Sequence, residues 1–165
     1  MGSSTTLNFR TVLFSTLLVS VGFSADAEAT CSESHVAVKG GFGEARFTIE
    51  LADEPNERAQ GLMHREVMAR SAGMLFVFEQ PQTVAFWMKN TLIPLDMIFA
   101  DTAGRILRIH ENAIPHDETP IPGGEGVFAV LEVNAGLSKR FGFKAGDALQ
   151  HPAFLSSEAI FPCKE

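Results

Sequence analysis

The chain is cut into short apolar runs, each closed within a few residues by glycine, proline, asparagine or aspartate. This punctuation leaves little room for long helices and favours short strands joined by tight turns. Arg46 to Leu51 is the cleanest case: Phe47, Ile49 and Leu51 alternate with Arg46, Thr48 and Glu50, as in a half-buried strand. Gly40-Gly41-Phe42-Gly43 reads as the turn of a hairpin whose first arm is His35 to Lys39. Met74 to Phe78 is apolar throughout, as in a central strand, and Glu79 to Gln82 around Pro81 reads as a turn. Leu95 to Ala100 and Arg105 to Glu111 flank Asp101-Thr102-Ala103-Gly104, a hairpin loop. Phe128 to Val133 is apolar apart from Glu132, and a carboxylate inside such a strand must be paired, protonated or facing a cavity. A helical turn at Leu137 to Arg140 and a tight turn at Gly142 to Asp147 lead to a last strand, Ala148 to Gln150.

One segment has a different period. Asp53 offers a helix N-cap, Pro55 suits the first turn, and Ala59, Leu62, Met63 and Val67 share a face. An amphipathic helix over about Pro55 to Arg65 is expected, weakened at Gly61 by about 1 kcal/mol relative to alanine. Roughly seven or eight short strands with one clear helix predict an α+β domain. It should be mostly antiparallel, a small curled sheet or barrel-like domain with one packed helix. Asn112 to Gly126 has no periodicity and is rich in proline and glycine, so it reads as a long loop, a type that is usually functional or disordered.

The first 29 residues read as a targeting segment. Arg10 is the only charged side chain before the apolar run Thr11 to Phe23, and Ala25-Asp26-Ala27 and Ala27-Glu28-Ala29 both fit small-x-small cleavage. A secretory signal peptide removed after Ala27 or Ala29 is expected, and the protein is then periplasmic or extracellular. An uncleaved anchor is the alternative, although the run is shorter than the ~20 residues that span a bilayer. The remainder, 30–165, suits a single domain. The net charge of −7 and pI of about 5.2, without a basic block, argue against nucleic acid and anionic membrane surfaces as partners. After cleavage no stable membrane insertion is expected. In an oxidising compartment Cys31 and Cys163 would form a disulfide tying the termini together. A lipid on Cys31, or two free thiols, are the competing readings.

The stretch from Val84 to Asp96 holds the only tryptophan and sets Lys89, Asn90 and Asp96 into an apolar run. As a strand it would put Phe86, Met88 and Asn90 on one face and Trp87, Lys89 and Thr91 on the other. Such a strand could simply emerge into solvent, with Lys89 and Asn90 opening a turn before Pro94. It could instead form a pocket rim, with Trp87 as wall and Lys89, Asn90 and Asp96 orienting a ligand.

Arg58-Ala-Gln-Gly-Leu-Met-His-Arg65, Gly73-Met-Leu-Phe76, Phe86-Trp-Met-Lys-Asn-Thr91, Pro94-Leu-Asp96, Val130-Leu-Glu132 and Gly146-Asp147 occur in this order. Together they resemble the domain of unknown function 192 family, over about Phe47 to Leu149. Each fragment alone is weak; the ordered set is specific. The resemblance implies one small β-rich domain, often exported in bacteria and archaea, and implies no reaction, ligand or cofactor.

The candidate ligand-binding residues are therefore Arg65, Trp87, Lys89, Asn90, Asp96 and Glu132. The first hypothesis is a module binding a small molecule or envelope component, with Trp87 stacking on a ring. The second is an acid/base enzyme, hydrolytic or otherwise, using Asp96, Glu132 and Lys89. The third is a structural or protein-interaction domain without a ligand, in which Asp96 pairs with Lys89 or Arg65 and Asn90 caps the Pro94 turn. A soft-metal site from Met63, His64, Met68, Met74, Met88 and Met97 with His110, His116 and His151 is disfavoured, because methionine at apolar positions is ordinary core filling. No metal or other cofactor is expected.

Overall fold

The computed structural model of the chain describes residues 1–2, 31–154 and 157–163. Apart from its first two residues, the leader expected over residues 1–29 lies outside the described part. Seven strands and two short helices follow one another: β1 (His35–Gly40), β2 (Gly43–Ala52), α1 (Pro55–Gln60), β3 (Ala72–Phe86), β4 (Leu95–Ala100), β5 (Ile106–Ala113), β6 (Ile121–Asn134), α2 (Leu137–Phe141) and β7 (Ala148–Gln150). They form one sheet in the order β5-β4-β6-β3-β2-β1-β7. Every pair is antiparallel except β2 with β3, which run parallel because α1 carries the chain across between them.

The sheet curls until its two edges meet at one end, giving a half-barrel. A single bridge joins Arg105 to Ala148. Ile106 N–H donates to the Asp147 carbonyl at 2.7 Å, and Leu149 N–H to that of Gly104 at 2.8 Å. Gly104 permits the closure: its φ is +76°, and an added Cβ would lie 2.5 Å from the Leu149 carbonyl oxygen.

Alternation divides the apolar residues between two cores. Val36, Phe47, Ile49, Leu75, Ile98, Leu131 and Val133 fill the inside of the curl. Leu62, Met74, Phe76, Met88, Met97, Phe99 and Val130 form the second core on the other face. Each such side chain, fully buried, stabilises the fold by about 1.5–3 kcal/mol. Cys31 and Cys163 are disulfide-bonded, with their Cα atoms 5.5 Å apart, and so join the two ends of the described domain.

Four expectations change. The helix ends at Gln60 rather than Arg65, because Gly61 turns to φ +49° and an added Cβ there would sit 3.1 Å from the Phe76 ring. Val67, expected on the apolar face, is 82% exposed as a result. The segment around Pro81 is not a turn: β3 continues to Phe86 and takes up the irregularity between Val77 and Val84 as shifts of register. Asn112 to Gly126 is a loop only in its middle. Ile121 to Gly126 belongs to β6 and pairs with the end of β3, its glycines allowing close contact and bulges rather than disorder. The strand expected to run past Trp87 stops at Phe86, while Lys89 and Asn90 do open a turn before Pro94, as one of the two readings had it.

Candidate functional site

The sheet builds the site through one row of side chains. Across it, Glu50 on β2 neighbours Met74 on β3, Met74 neighbours Glu132 on β6, Glu132 neighbours Met97 on β4, and Met97 neighbours His110 on β5. Glu132 thus stands in the middle of the second core, between two methionines that offer no hydrogen-bond donor. It is 4% exposed and, among the described residues, has neither a hydrogen-bond partner nor a salt-bridge partner. Burial pushes its carboxyl up to about 8.

The Glu132 carboxyl reaches the wall of a cleft of about 400 Å³. α1 and the turn after it supply one side, through Arg58, Gln60, Leu62 and Met63. The bent half of β3 supplies the other, through Phe76, Phe78, Gln82, Thr83, Val84, Ala85 and Phe86, with Trp87 and Thr91 beyond. Phe76 meets Phe86 edge to face at 5.2 Å between ring centroids, which fixes both rings. A volume of this size suits a small organic ligand, and the exposed lining, aromatic rings among Arg58, Gln60, Gln82, Thr83, Thr91 and Glu132, is more polar than apolar.

Trp87 is 47% exposed and lines the cleft. Lys89 does not; its Nζ lies 5.1 Å from the Trp87 ring centroid. Asn90 holds the turn: its φ is +54°, its carbonyl accepts from His64 N–H at 2.8 Å, and its amide reaches only the Met63 sulfur, at 3.9 Å. Asparagine tolerates that left-handed conformation better than most residues. The turn is braced from the other side, since Met88 N–H donates to the Asp117 carbonyl at 2.8 Å and His116 N–H to the Met88 carbonyl at 3.1 Å. The loop after β5 thus lies beside this stretch.

Arg65 is separated from the cleft, in a bidentate pair with Glu50 at 2.6 and 2.7 Å. Hydrogen bonding to Glu50 raises its already high pKa. Asp96 is separated as well. It is fully buried and accepts three backbone N–H groups: Asn112 at 2.9 Å, Gly136 at 3.0 Å and Ser138 at 2.8 Å. Of the six candidates, then, Trp87 and Glu132 meet in one cleft, Lys89 and Asn90 belong to the turn after Trp87 and do not line it, and Arg65 and Asp96 brace the fold.

Of the lining, the roles of Gln82 and Thr83 were not visible from sequence, because they depend on the bend of β3, and Phe76, Phe86 and Thr91 stood only inside motifs. Arg58 was visible only as part of a motif. Its guanidinium donates to the carbonyls of Asp53 and Val77 and pairs with Glu79 at 2.7 Å, clamping α1 to β3 beside the cleft. His151 is 2% exposed and structural. Its Nδ1 accepts from Ala153 N–H at 3.1 Å, which leaves Nε2 to donate to the Glu33 carbonyl at 3.1 Å. Among the described residues no three His, Cys, Asp or Glu side chains gather as a metal site, and no helix is long and apolar enough to cross a membrane.

A family model for the domain of unknown function 192, described as "Uncharacterized ACR", matches residues 36–151. No curated protein matches the chain. Two crystal structures among those similar to it are the following. One is a protein of unknown function from Novosphingobium aromaticivorans DSM 12444, 44% identical, TM-score 0.68, covering 70% of this chain and 82% of its own. The other is described as a proposed transcription regulator from Sinorhizobium meliloti 1021, 45% identical, TM-score 0.71, covering 76% of this chain and 98% of its own.

Proposed function

This chain belongs to the domain of unknown function 192 family, and on that premise we propose that it is an exported module that binds a small molecule of the cell envelope in the cleft above Glu132. The observation that carries this reading is the unpartnered, buried Glu132 carboxyl at the wall of an aromatic-lined cleft. The Glu132 side chain is nearly buried but opens on the cleft, where a ligand that bonds to it takes the place of solvent as its partner. Export rests on the leader pattern in residues 1–29 and agrees with the Cys31–Cys163 disulfide.

Binding is favoured over two-carboxylate catalysis by the placing of Asp96. Acid/base partners must reach one reacting point, and Asp96 is turned to the other face of the sheet with its oxygens occupied. The regulator description of the Sinorhizobium protein is not carried over, because a pI of about 5.2 gives this chain no electrostatic footprint for DNA.

A thermal-shift screen against envelope sugars, peptidoglycan fragments, amines and small carboxylates tests the reading. Ala85→Trp, at an exposed position on the cleft wall, blocks the cleft without touching the core. A ligand at one hundred times its Kd stabilises by about 2.7 kcal/mol. It should shift the wild type and not the blocked variant. Equal shifts in both proteins would place binding elsewhere and end the cleft reading.

A further inference from the structure

We infer that the ligand of this cleft is an organic cation, an amine or quaternary ammonium group on a small apolar body, whose charge meets the Glu132 carboxylate and whose body lies against Phe76, Phe86 and Trp87. The inference rests on the cleft-binding reading and adds the chemical class of the ligand.

The treatment of the other buried carboxylates sets Glu132 apart. Asp96 receives three backbone N–H groups, and Asp147 receives that of Lys144 at 3.0 Å. Glu132 receives none from the described residues. Nor does a cation of the protein reach it. In its cross-sheet row the next ionisable positions beyond Met74 and Met97 are Glu50, occupied by Arg65, and His110 on β5. From α1 the one charged group on the cleft is Arg58, whose guanidinium is taken up by two backbone carbonyls and Glu79. The position is thus an acid without a base, open to the cleft.

The walls fit the same class of ligand. The faces of Phe and Trp rings carry negative potential and attract ammonium groups. Two rings of this cleft already hold cations of the protein: Lys89 Nζ is 5.1 Å from the Trp87 centroid, and the Arg58 guanidinium 5.4 Å from that of Phe78. The net charge of −7 draws cations toward the protein over a longer range.

A cation and a neutral ligand leave opposite signatures. A cation takes the ionised carboxylate, so its binding expels a proton, and its affinity climbs with pH up to about 8, where burial has placed Glu132. A neutral ligand that accepts a hydrogen bond takes the protonated form, so its affinity is level below that pH and falls above it.

Isothermal titration of the full chain with choline, n-butylamine and 3,3-dimethylbutan-1-ol, the neutral carbon isostere of choline, separates the two. At least one cation should bind tenfold or more tighter than the isostere, gain about tenfold between pH 6 and 7, and release protons to the buffer. Glu132→Gln should weaken that cation at least tenfold, while keeping the wild-type circular dichroism, since it replaces a neutral acid by a neutral amide. Cation binding that is absent, falls with pH, or survives Glu132→Gln overturns the inference. Binding of the isostere or of a sugar that Ala85→Trp abolishes would then leave the cleft reading standing; loss of every cleft-dependent signal would remove both.

Discussion

Asp96 and Glu132 lie on adjacent strands, one register step apart, and point to opposite faces of the sheet. Asp96 stands opposite Val133 and Glu132 opposite Met97, and successive side chains of a strand alternate. One carboxylate is therefore committed to backbone amides that fix the start of α2, and the other to the cleft.

The commitment of Asp96 makes it a stability determinant. Asp96→Ala strands the N–H groups of Asn112, Gly136 and Ser138 in a buried place and should cost about 3–5 kcal/mol in urea unfolding. Asp96→Asn keeps one acceptor oxygen but turns an amide donor toward a backbone donor, so an intermediate loss is expected. Ligand affinity should be unchanged in Asp96→Asn where the protein is folded. A variant of normal stability and lost binding would contradict this division of roles.

Glu132 should make the folded chain less stable as pH rises. In the unfolded chain its proton leaves near 4.5, whereas in the fold burial holds it to about 8. Between those values the native state binds more protons than the unfolded state, so stability falls with pH and levels off above 8. The expected loss over this window is several kcal/mol. Glu132→Gln has no proton to lose. Its unfolding free energy should match the wild type near pH 5 and exceed it above pH 8, measured by urea titration at each pH.

His151 acts on the acid side of the same profile. Burial lowers its pKa, so the folded state favours the neutral ring. The unfolded chain takes up a proton as pH drops below about 6.5, before the folded one does, and stability should decline there. The sign is opposite to that of Glu132. Because Nδ1 accepts from Ala153 N–H and Nε2 donates to Glu33, protonation also removes an acceptor. The NMR titration of His151 should fall below the ordinary histidine value; a pKa at or above 6.5 would exclude the effect.

The alternation of β2, the Asp101 to Gly104 hairpin and the odd carboxylate in β6 were legible because each rests on local spacing, and so was the first helical residue, Pro55, although the N-cap is Glu54, in a capping box with Glu57, and not the expected Asp53. What was not legible depends on contact between distant residues. Gly123 looks like loop composition in sequence. In the fold an added Cβ would lie 2.5 Å from Phe99 and 2.6 Å from Val84, so the glycine is there to let β6 close on β3 and β4. Trp87 read as part of a strand because its neighbours are apolar, whereas the turn at Lys89 and Asn90 before Pro94 was one of the two readings; the left-handed Asn90 and the His116 amide from the loop after β5 hold it. The parallel β2–β3 pair was equally hidden, since a crossover of one short helix leaves no mark in the strands themselves. Glycine at 123 should therefore resist replacement: Gly123→Ala overpacks buried rings and should cost about 1–3 kcal/mol. Gly124→Ala meets no atom and should lose only the strain of its φ of +95°, of order 1–3 kcal/mol.

The Cys31–Cys163 bond closes a loop of sequence separation 132, which on the chain-entropy model restricts the unfolded state by about 5 kcal/mol. Neither cysteine belongs to a strand of the sheet, and the native ladders do not run through them. Gln150 still reaches the Pro162 carbonyl at 2.9 Å, and Ile160 N–H that of Ala103 at 3.0 Å, so other bonds hold the returning tail. The double variant Cys31→Ser, Cys163→Ser should accordingly fold with the same circular dichroism but lose about 2–5 kcal/mol in urea. Hydrogen exchange should rise first in 157–163 and in the residues before β1, while the amides of β3, β4 and β6 stay protected. Uniform loss of protection would mean that the bond is needed to close the half-barrel itself, and that the contact between Arg105 and Ala148 does not hold without it.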